Sequence, residues 1–310
     1  MNAFGRFMAV ALMVCSGMQA LAQNPIITGQ FTADPTARVF DGRLYVYPSH
    51  DIRHPHDKSN TWFCMADYHV FSSENLTDWT DHGMILSQEN VEWVNSKSYS
   101  MWAPDCVERN GKYYFYFPDA PASGYGFGIG VAVADKPYGP LTPEAQPIKG
   151  VFGIDPCVLI DDDGTSYIYW SGMGLSGCRL KGNMIELDGE PQRLDTPLPE
   201  GFKEGPFVFK HKGKYYLTYA SGFPEKIAYA VADNAMGPYE AKGVISEIAG
   251  NSCSTHPSVV KFKGEWIFFS HNGALRDGGN FSRSIIAEPL KHKSGAEIRK
   301  IHPSTEGFKF

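Results

Sequence analysis

Five segments of the chain repeat one pattern of apolar and polar positions. Each begins with a proline and a short β-prone stretch, turns at a glycine seven or eight residues later, and continues into a strand rich in aromatic residues. Asp-Gly, Asn-Gly and Lys-Gly pairs at these turns are typical of tight β-hairpins. The prolines are Pro35, Pro104, Pro156, Pro206 and Pro257, and the turn glycines are Gly42, Gly111, Gly164, Gly213 and Gly264.

The spacing of these segments predicts the architecture. The last four begin 52, 50 and 51 residues apart, and the first interval is 69 residues, which allows a loop insertion around residues 49–61. A period near 50 residues with several short strands per unit is typical of a β-propeller. We therefore predict an all-β fold, a five-bladed β-propeller with four antiparallel strands per blade, forming a single domain over residues 23–310. A β-sandwich is the alternative, but it does not explain the regular spacing.

The first 22 residues predict a cleaved signal peptide. One basic residue, Arg6, precedes an apolar run from Phe7 to Cys15, and the small-x-small sequence Ala20-Leu21-Ala22 follows. The run is too short to span a bilayer, so we expect no membrane span and a secreted or periplasmic protein. Cys15 as a lipid anchor is the weaker alternative, because Met13-Val14 stands where a small residue is expected.

Composition excludes some partners. The chain has 28 basic and 34 acidic residues without long runs of either sign, so it lacks the polybasic surface that binds nucleic acid or anionic lipid. Aromatic residues make up 14%, which suits a β-sheet core as well as a sugar-binding site. The five cysteines after residue 22 are odd in number and form no Cys-x-x-Cys pair, which favours buried free thiols over a disulfide framework or a zinc site.

The position before the repeated proline carries the candidate chemistry. In a propeller the inner strands line the central channel, so the starts of these strands converge on the axis. Proline biases its predecessor towards an extended backbone, which would aim each preceding side chain reproducibly. Asp-Pro is also a common turn pair, so one such pair alone would carry little weight. The residues are Asp34, Ala103, Asp155, Glu204 (as Glu-Gly-Pro) and His256.

Three carboxyl groups in one cavity predict acid–base chemistry. Clustered carboxylates repel one another and lose solvation, so at least one should hold a proton near neutral pH. A protonated acid and an ionised base, separated by roughly 6.5–9.5 Å to admit a water, are what an inverting glycosidase requires. Asp34, Asp155 and Glu204 are therefore the candidate catalytic residues.

Several motifs resemble glycoside hydrolase family 43, a family of five-bladed propellers, over nearly all of residues 23–310. They are Ala33-Asp34-Pro35-Thr36 with Asp41-Gly42-Arg43-Leu44-Tyr45, Trp102-Ala103-Pro104-Asp105, Ile154-Asp155-Pro156 with Asp161-Asp162-Asp163-Gly164, and Lys203-Glu204-Gly205-Pro206 with Lys214-Tyr215-Tyr216. The resemblance implies that Asp34 is the general base and Glu204 the general acid. It implies that Asp155 tunes the pKa of the acid and orients it.

The same resemblance implies further site residues. His256 matches a histidine that in family members helps to hold a hydrated metal ion, often calcium, at the propeller centre, although a structural histidine is an equal alternative. Arg283 matches an arginine that reaches substrate hydroxyls and the tuning aspartate. Trp102 is a candidate platform for the sugar, and Asp51, in Ser49-His50-Asp51, is a candidate substrate contact. No organic cofactor is implied.

The function expected from the sequence is a secreted, inverting hydrolase that releases pentose residues from plant-type polysaccharide or oligosaccharide side chains. The resemblance implies that many β-xylosidases of the family carry a C-terminal β-sandwich, and no such domain is expected here. We therefore expect α-L-arabinofuranosidase first, with β-xylosidase, endo-arabinanase and galactofuranosidase as alternatives. A non-catalytic carbohydrate-binding propeller and a retaining fructan or sucrose hydrolase are the rivals, and the second lacks its usual Trp-Met-Asn-Asp-Pro-Asn type motif here. We expect a monomer.

Overall fold

The chain folds into five antiparallel sheets, which confirms the predicted five-bladed β-propeller. The structure, a computed structural model, describes residues 23–57, 59–194 and 201–308. The predicted leader, residues 1–22, lies outside them. In chain order the strands are β1 (Ala33–Phe40), β2 (Arg43–Ser49), β3 (Asp67–Ser73), β4 (Trp79–Ser87), β5 (Asp105–Arg109), β6 (Lys112–Asp119), β7 (Gly128–Ala134), β8 (Thr142–Pro143), β9 (Ile154–Ile160), β10 (Ser166–Gly172), β11 (Gly174–Leu180), β12 (Gln192–Arg193), β13 (Glu204–His211), β14 (Lys214–Ser221), β15 (Lys226–Ala232), β16 (Glu240–Ser246), β17 (Ser258–Phe262), β18 (Glu265–Asn272) and β19 (Ser284–Pro289).

Blades one to four each contain four of these strands, in the order β1–β4, β5–β8, β9–β12 and β13–β16. The inner strands β1, β5, β9, β13 and β17 contact one another in turn, and β17 contacts β1, so the ring is closed. Apolar faces of adjacent blades bury Val, Leu, Ile, Phe and Tyr side chains between them. Two 3-10 turns, Gln88–Asn90 and Ser294–Ala296, are the helical segments of the described residues, and none of their helices is long and apolar enough to cross a membrane.

The fifth blade takes its outer edge from the start of the chain. Strands β17–β19 form its sheet, and the segment from residue 24 to residue 32 runs along β19. The backbone N–H of Ile26 donates to the Ile285 carbonyl at 2.9 Å, and that of Thr32 donates to the Arg283 carbonyl at 2.9 Å. The two ends of the propeller domain are therefore joined in one blade, which closes the ring.

The predicted hairpin glycines occupy the turns between the first two strands of each blade. At Asp41-Gly42 both residues have positive φ, 48° and 74°, as a type I′ turn requires. Asn110-Gly111, Lys212-Gly213 and Lys263-Gly264 repeat this pair of positive angles. The first-blade insertion is also present, as the loop of residues 50–66 between β2 and β3.

The backbone before the prolines differs from the prediction of an extended conformation. Asp34 has φ 45° and Asp155 has φ 56°, both in the left-handed region. The strand register shifts at the same places, between Ala33 and Thr36 and opposite Tyr169 to Ser171, so each aspartate lies in a β-bulge. Aspartate tolerates this conformation better than most residues. The bulge, rather than an extended strand, turns these side chains towards the axis.

The fourth blade uses a glycine at the bulge. Gly205, with φ 66°, precedes Pro206, and the register shift lies between Glu204 and Phe207. Glu204 pairs with Ala220, in the place where Ala33 pairs with Ser49 in the first blade. Glu204 is thus one residue earlier than the two aspartates.

An ion pair links the first three inner strands below the bulges. Arg38 on β1 donates to both carboxylate oxygens of Asp105 on β5, with its Nη2 2.6 Å from Oδ2. The same guanidinium donates to the Val158 carbonyl of β9 at 3.0 Å, and the Val158 N–H donates back to Asp105 at 2.6 Å. Asp105, part of the Ala-Pro-Asp motif, therefore holds the blades in register.

The cysteines of the described residues are all free. Cys64, Cys106, Cys157 and Cys178 are buried, in agreement with the expectation from the sequence, while Cys253 is partly exposed.

Gly153 lies two residues before Asp155 and packs its backbone closely against Ser171. Its φ is 148°, and a Cβ built there would lie 2.1 Å from the Ser171 carbonyl oxygen. We predict that Gly153→Ala destabilises the fold by about 2–4 kcal/mol, because backbone strain and the clash add. Urea unfolding monitored by tryptophan fluorescence measures this. Gly182→Ala, with no atom within 4 Å and no positive φ, is the control and should change stability by less than about 0.5 kcal/mol. Equal stability of the two variants would contradict the prediction.

Candidate active site

A cavity of about 320 Å³ opens where the inner strands begin. Every blade contributes to its wall from the start of its inner strand or the residues just before it. Buried side chains form its base, and exposed aromatic residues such as Trp62 and Phe223 stand at its mouth. The structure brings together in this cavity Asp34, Trp102, Asp155, Glu204, His256 and Arg283.

The carboxylate of Asp34 is held on both of its oxygens. Arg283 donates from Nη1 to Asp34 Oδ1 at 3.0 Å and from Nη2 to Oδ2 at 3.3 Å. The Ser49 hydroxyl donates to Oδ2 at 2.8 Å. Charge-assisted hydrogen bonds of this kind favour and orient the anion.

The protonation of this part of the site follows from its contacts. Burial by itself raises the pKa of Asp34, but the Arg283 guanidinium and the other contacts of the carboxylate together outweigh burial, and the pKa falls to about 2. His271 Nδ1 accepts the Asp34 backbone N–H at 3.0 Å, so the ring proton is on Nε2 and donates to the Ser254 carbonyl at 3.0 Å. Burial lowers the pKa of His271 to about 3, in agreement with a neutral ring. Asp34 is therefore ionised at neutral pH.

Asp155 and Glu204 lie in the opposite environment. Asp155 Oδ2 accepts hydrogen bonds from the Ser171 hydroxyl and the Gly205 backbone N–H, both at 3.0 Å. Burial, and then the charges of Glu204 and Asp34, raise the pKa of Asp155 well above its usual range. Burial also raises the pKa of Glu204, although Lys203 opposes the rise. The cavity thus sets one ionised carboxylate beside carboxyl groups whose pKa values are raised.

Glu225 is a fourth carboxyl group of the cavity that the sequence analysis missed. It lies between β14 and β15, is 3% exposed, and is hydrogen-bonded to Glu204. Its Oε2 accepts the Thr255 backbone N–H at 2.8 Å. Burial and the charge of Glu204 raise the pKa of Glu225 to about 9. Glu204 and Glu225 therefore titrate as a pair that shares protons. Glu225 stands outside the repeated proline position, in a hairpin turn where glutamate is ordinarily exposed.

Two of the predicted site residues need correction. Asp51 lies behind the cavity wall, with Oδ2 accepting Arg283 Nε and Oδ1 accepting Nη2, each at 2.9 Å. It accepts the Arg283 backbone N–H as well, at 2.8 Å, so both of its oxygens are engaged by Arg283. Arg283 does line the cavity, but its carboxylate partners are Asp34 and Asp51, whereas the resemblance implies the tuning residue Asp155. Arg283 thus orients Asp34 directly, and Asp51 orients Arg283.

Aromatic side chains form much of the cavity wall. Trp102 packs against Phe127 with ring centroids 4.8 Å apart, and its indole N–H is buried without a hydrogen-bond partner among the described residues. The 50–66 loop adds Trp62 and Phe63, and Phe63 stacks on the Arg283 guanidinium with 4.7 Å between the guanidinium carbon and the ring centroid. These apolar faces suit a sugar ring.

His256 lies in the wall against the Gly205 backbone. A Cβ added at Gly205 would lie 3.0 Å from the Nδ1 atom of His256. Burial lowers the pKa of His256 to about 4, so the ring is neutral. Calcium takes about six to eight oxygen ligands. Within the described part of the chain, His256 belongs to no group of three histidine, cysteine or carboxylate side chains close enough to share an ion. A calcium ion beside His256 would therefore take most of its ligands from water, in line with the hydrated ion that the resemblance implies.

A propeller cavity that holds an ionised carboxylate together with carboxyl groups of raised pKa has the base and the acid that inverting cleavage of glycosides requires. The sequence profile described as Glycosyl hydrolases family 43 matches residues 22–296. The chain belongs to this family, and it is an inverting glycoside hydrolase.

Relatives resemble the chain over most of their length. "Xylosidase/arabinosidase 43A" of Humicola insolens is 36% identical over 88% of this chain and 98% of the relative. The solved structure of a GH43 beta-xylosidase/alpha-arabinofuranosidase from a compost microbial metagenome, in a calcium-free complex with xylotriose, has a TM-score of 0.84 and 33% identity over 91% of this chain and 98% of that one. A GH43_1 enzyme from Xanthomonas citri, complexed with xylotriose, has a TM-score of 0.84 and 36% identity over 94% and 97%.

The burial of Glu225 should make stability depend on pH. Its folded pKa is about 9 against 4.5 for an ordinary glutamate. A raised folded pKa favours the fold below about pH 4.5, and this contribution is lost as pH rises towards 9. We predict that Glu225→Gln, which cannot ionise, raises the melting temperature at pH 8.5 and changes it little at pH 4.5.

Thermal unfolding followed by circular dichroism at the two pH values measures this difference. Glu265→Gln, an exposed site, is the matched control and should show no pH-dependent gain. A rise in the melting temperature of Glu225→Gln that is as large at pH 4.5 as at pH 8.5 would contradict the prediction.

Proposed function

We propose that the protein is an exo-acting pentosidase that releases terminal β-xylosyl and α-L-arabinofuranosyl residues from plant-type oligosaccharides and polysaccharides. The observation that carries the proposal is the contrast within the cavity, where contacts lower the pKa of Asp34 and burial raises the pKa of Glu204. The similarity to enzymes named for xylosidase and arabinosidase activity supports both sugars. A cavity at the small end of ligand pockets suits a terminal sugar better than a long chain.

In the proposed mechanism Asp34 is the general base. Its carboxylate removes a proton from a water molecule, and the oxygen of that water forms a bond to the anomeric carbon. The bond from that carbon to the glycosidic oxygen breaks on the opposite face, with inversion. Arg283 and Ser49 hold the Asp34 carboxylate in place for this step.

Glu204 is the general acid in the same mechanism. Its proton passes to the glycosidic oxygen as the bond breaks, so the leaving sugar departs as an alcohol. Burial raises the pKa of Glu204 and so favours its protonated form, and the charge of Asp34 acts in the same direction. Asp155 accepts the N–H of Gly205, which fixes the backbone next to Glu204.

Substrate specificity can be measured directly. We expect the wild-type protein to hydrolyse 4-nitrophenyl β-D-xylopyranoside and α-L-arabinofuranoside, and to release xylose from xylotriose with the opposite anomeric configuration by proton NMR. Cleavage of internal arabinan linkages would identify an endo-arabinanase, and activity confined to galactofuranoside would identify that alternative. Binding of xylotriose without turnover would mean a carbohydrate-binding propeller.

The two catalytic assignments have a common test. We predict that Asp34→Asn and Glu204→Gln each lower kcat on xylotriose by about 10²- to 10⁴-fold, the usual contribution of a general base or acid. Glu204→Gln should lose less on an aryl glycoside, because a phenolate leaving group needs little protonation. Asp162→Asn, on an exposed turn, is the control. Wild-type turnover by either catalytic variant would remove its assignment.

Glu225 offers a separate test through the pH dependence of kcat/KM. In the wild type the Glu225 carboxyl keeps its proton, donates a hydrogen bond to Glu204 and lowers the pKa of Glu204. We predict that Glu225→Leu, which removes this donor, moves the basic limb to higher pH while the acidic limb, set by Asp34, stays in place. An unmoved basic limb would contradict proton sharing between Glu204 and Glu225.

A further inference from the structure

Blade one holds three side chains with the chemistry of a metal site, outside the catalytic cavity. They are His50, Asp67 and His69, and one ligand atom of each lies within 4.8 Å of the other two. His50 Nδ1 is 2.7 Å from Asp67 Oδ1, and His69 Nε2 is 3.7 Å from the same oxygen. The two imidazole rings meet edge to face, with centroids 4.9 Å apart. The resemblance implies no role for these three side chains, and the proposed mechanism uses none of them.

The strand register explains why they meet. Ser49, the last residue of β2, pairs with Tyr68 of β3. In an antiparallel pair His50 therefore lies opposite Asp67, and alternation along β3 places Asp67 and His69 on the same face. Asp51, the next residue, points the other way and holds Arg283. The cluster is thus set by backbone pairing rather than by flexible loops.

The donor set selects the class of cation. Two imidazole nitrogens and one carboxylate oxygen match the ligands of zinc, with water completing a tetrahedron. Zinc bonds of about 2.0–2.1 Å place tetrahedral ligand atoms roughly 3.3 Å apart, between the 2.7 and 3.7 Å measured from Asp67 to the two rings. Side-chain exposures of 19%, 20% and 17% leave room for a hydrated ion to enter.

Asp81 on β4 is placed to accept a hydrogen bond from the second ring nitrogen of His69. Among the described residues no atom lies within 3.5 Å of His69 Nδ1 as a hydrogen-bond partner, and the nearest carboxylate, Asp81 Oδ1 on β4, is 3.7 Å away. Metal binding at Nε2 would keep the proton on Nδ1, where a small ring rotation lets it donate to Asp81. Carboxylates that accept the second N–H of a metal-bound histidine are a regular feature of zinc sites.

We propose that His50, Asp67 and His69 form a zinc site that closes the base of the 50–66 loop. His50 is the first residue of that loop, and Asp67 follows its last residue. The loop carries Trp62 and Phe63 to the catalytic cavity. An ion held by His50 and Asp67 fastens the two ends of the loop together and steadies that wall. The inference is independent of the sugar specificity proposed above.

The experiment is zinc titration of the full mature protein after treatment with a chelator. Calcium is kept in excess so that any oxygen-ligand site is filled beforehand. We expect one equivalent of Zn²⁺ to bind, with zinc–nitrogen distances of about 2.0–2.1 Å by X-ray absorption. In His69→Gln and Asp67→Asn the affinity should fall at least 10-fold. His56→Asn, which removes an exposed imidazole of the same loop, should bind like the wild type.

A second readout follows the loop itself. Zinc should slow tryptic cleavage after the exposed Arg53 in the wild-type protein and in His56→Asn, and not in His69→Gln. Circular dichroism melting in the absence of zinc shows whether each variant is folded. Equal zinc affinity in the wild type and in both cluster variants would overturn the proposal, and so would the absence of zinc binding by folded wild-type protein. Neither result touches the glycosidase assignment, which the xylotriose assay tests.

Discussion

Arg283 is the side chain on which both the closed ring and the active site depend. It lies just before β19 in the last blade, and its guanidinium joins Asp34 and Asp51 of the first blade. A buried pair of this kind is costly to break, because removal of one partner leaves an uncompensated charge. Burial of Arg283 between two carboxylates therefore holds Asp34 in place and also joins the ends of the propeller.

The contact between Arg283 and Asp34 also makes the pKa of Asp34 differ from the pKa values of the other carboxyl groups in the cavity. Asp34, Asp155 and Glu225 are buried and Glu204 is half-buried, and loss of solvation alone would raise the pKa of each of them. Asp34 has a guanidinium against its carboxylate, whereas Asp155 and Glu225 have the carboxylates of the cavity as their main charged neighbours. The guanidinium and the hydrogen bonds to Asp34 favour an anion on that side of the cavity, while burial favours protonated carboxyl groups on the other side. Inversion requires a base on one side of the sugar and an acid on the other. The bulges at Asp34 and Asp155 turn these two side chains towards the axis.

The 50–66 loop connects the cavity with the surface of the first blade. His50 and Asp51 are neighbours in the chain, yet their side chains serve opposite faces of it, one in the histidine–aspartate cluster and the other on Arg283. Trp62 and Phe63 extend from the same loop into the cavity wall. The insertion that lengthens the first repeat therefore shapes the sugar site, and its anchoring bears on how rigid that site is.

The repeat of prolines, turn glycines and aromatic strands was sufficient to predict the propeller, its hairpins and the carboxylates Asp34, Asp155 and Glu204. These features are local, since a proline or a turn glycine acts on the few residues beside it. The bulge conformation was missed, because the bias that proline imposes on its predecessor is outweighed here by the strand register. The partners of Arg283 and the role of Glu225 were also beyond the sequence. Arg283 and Asp34 are 249 residues apart, and only closure of the ring brings them together.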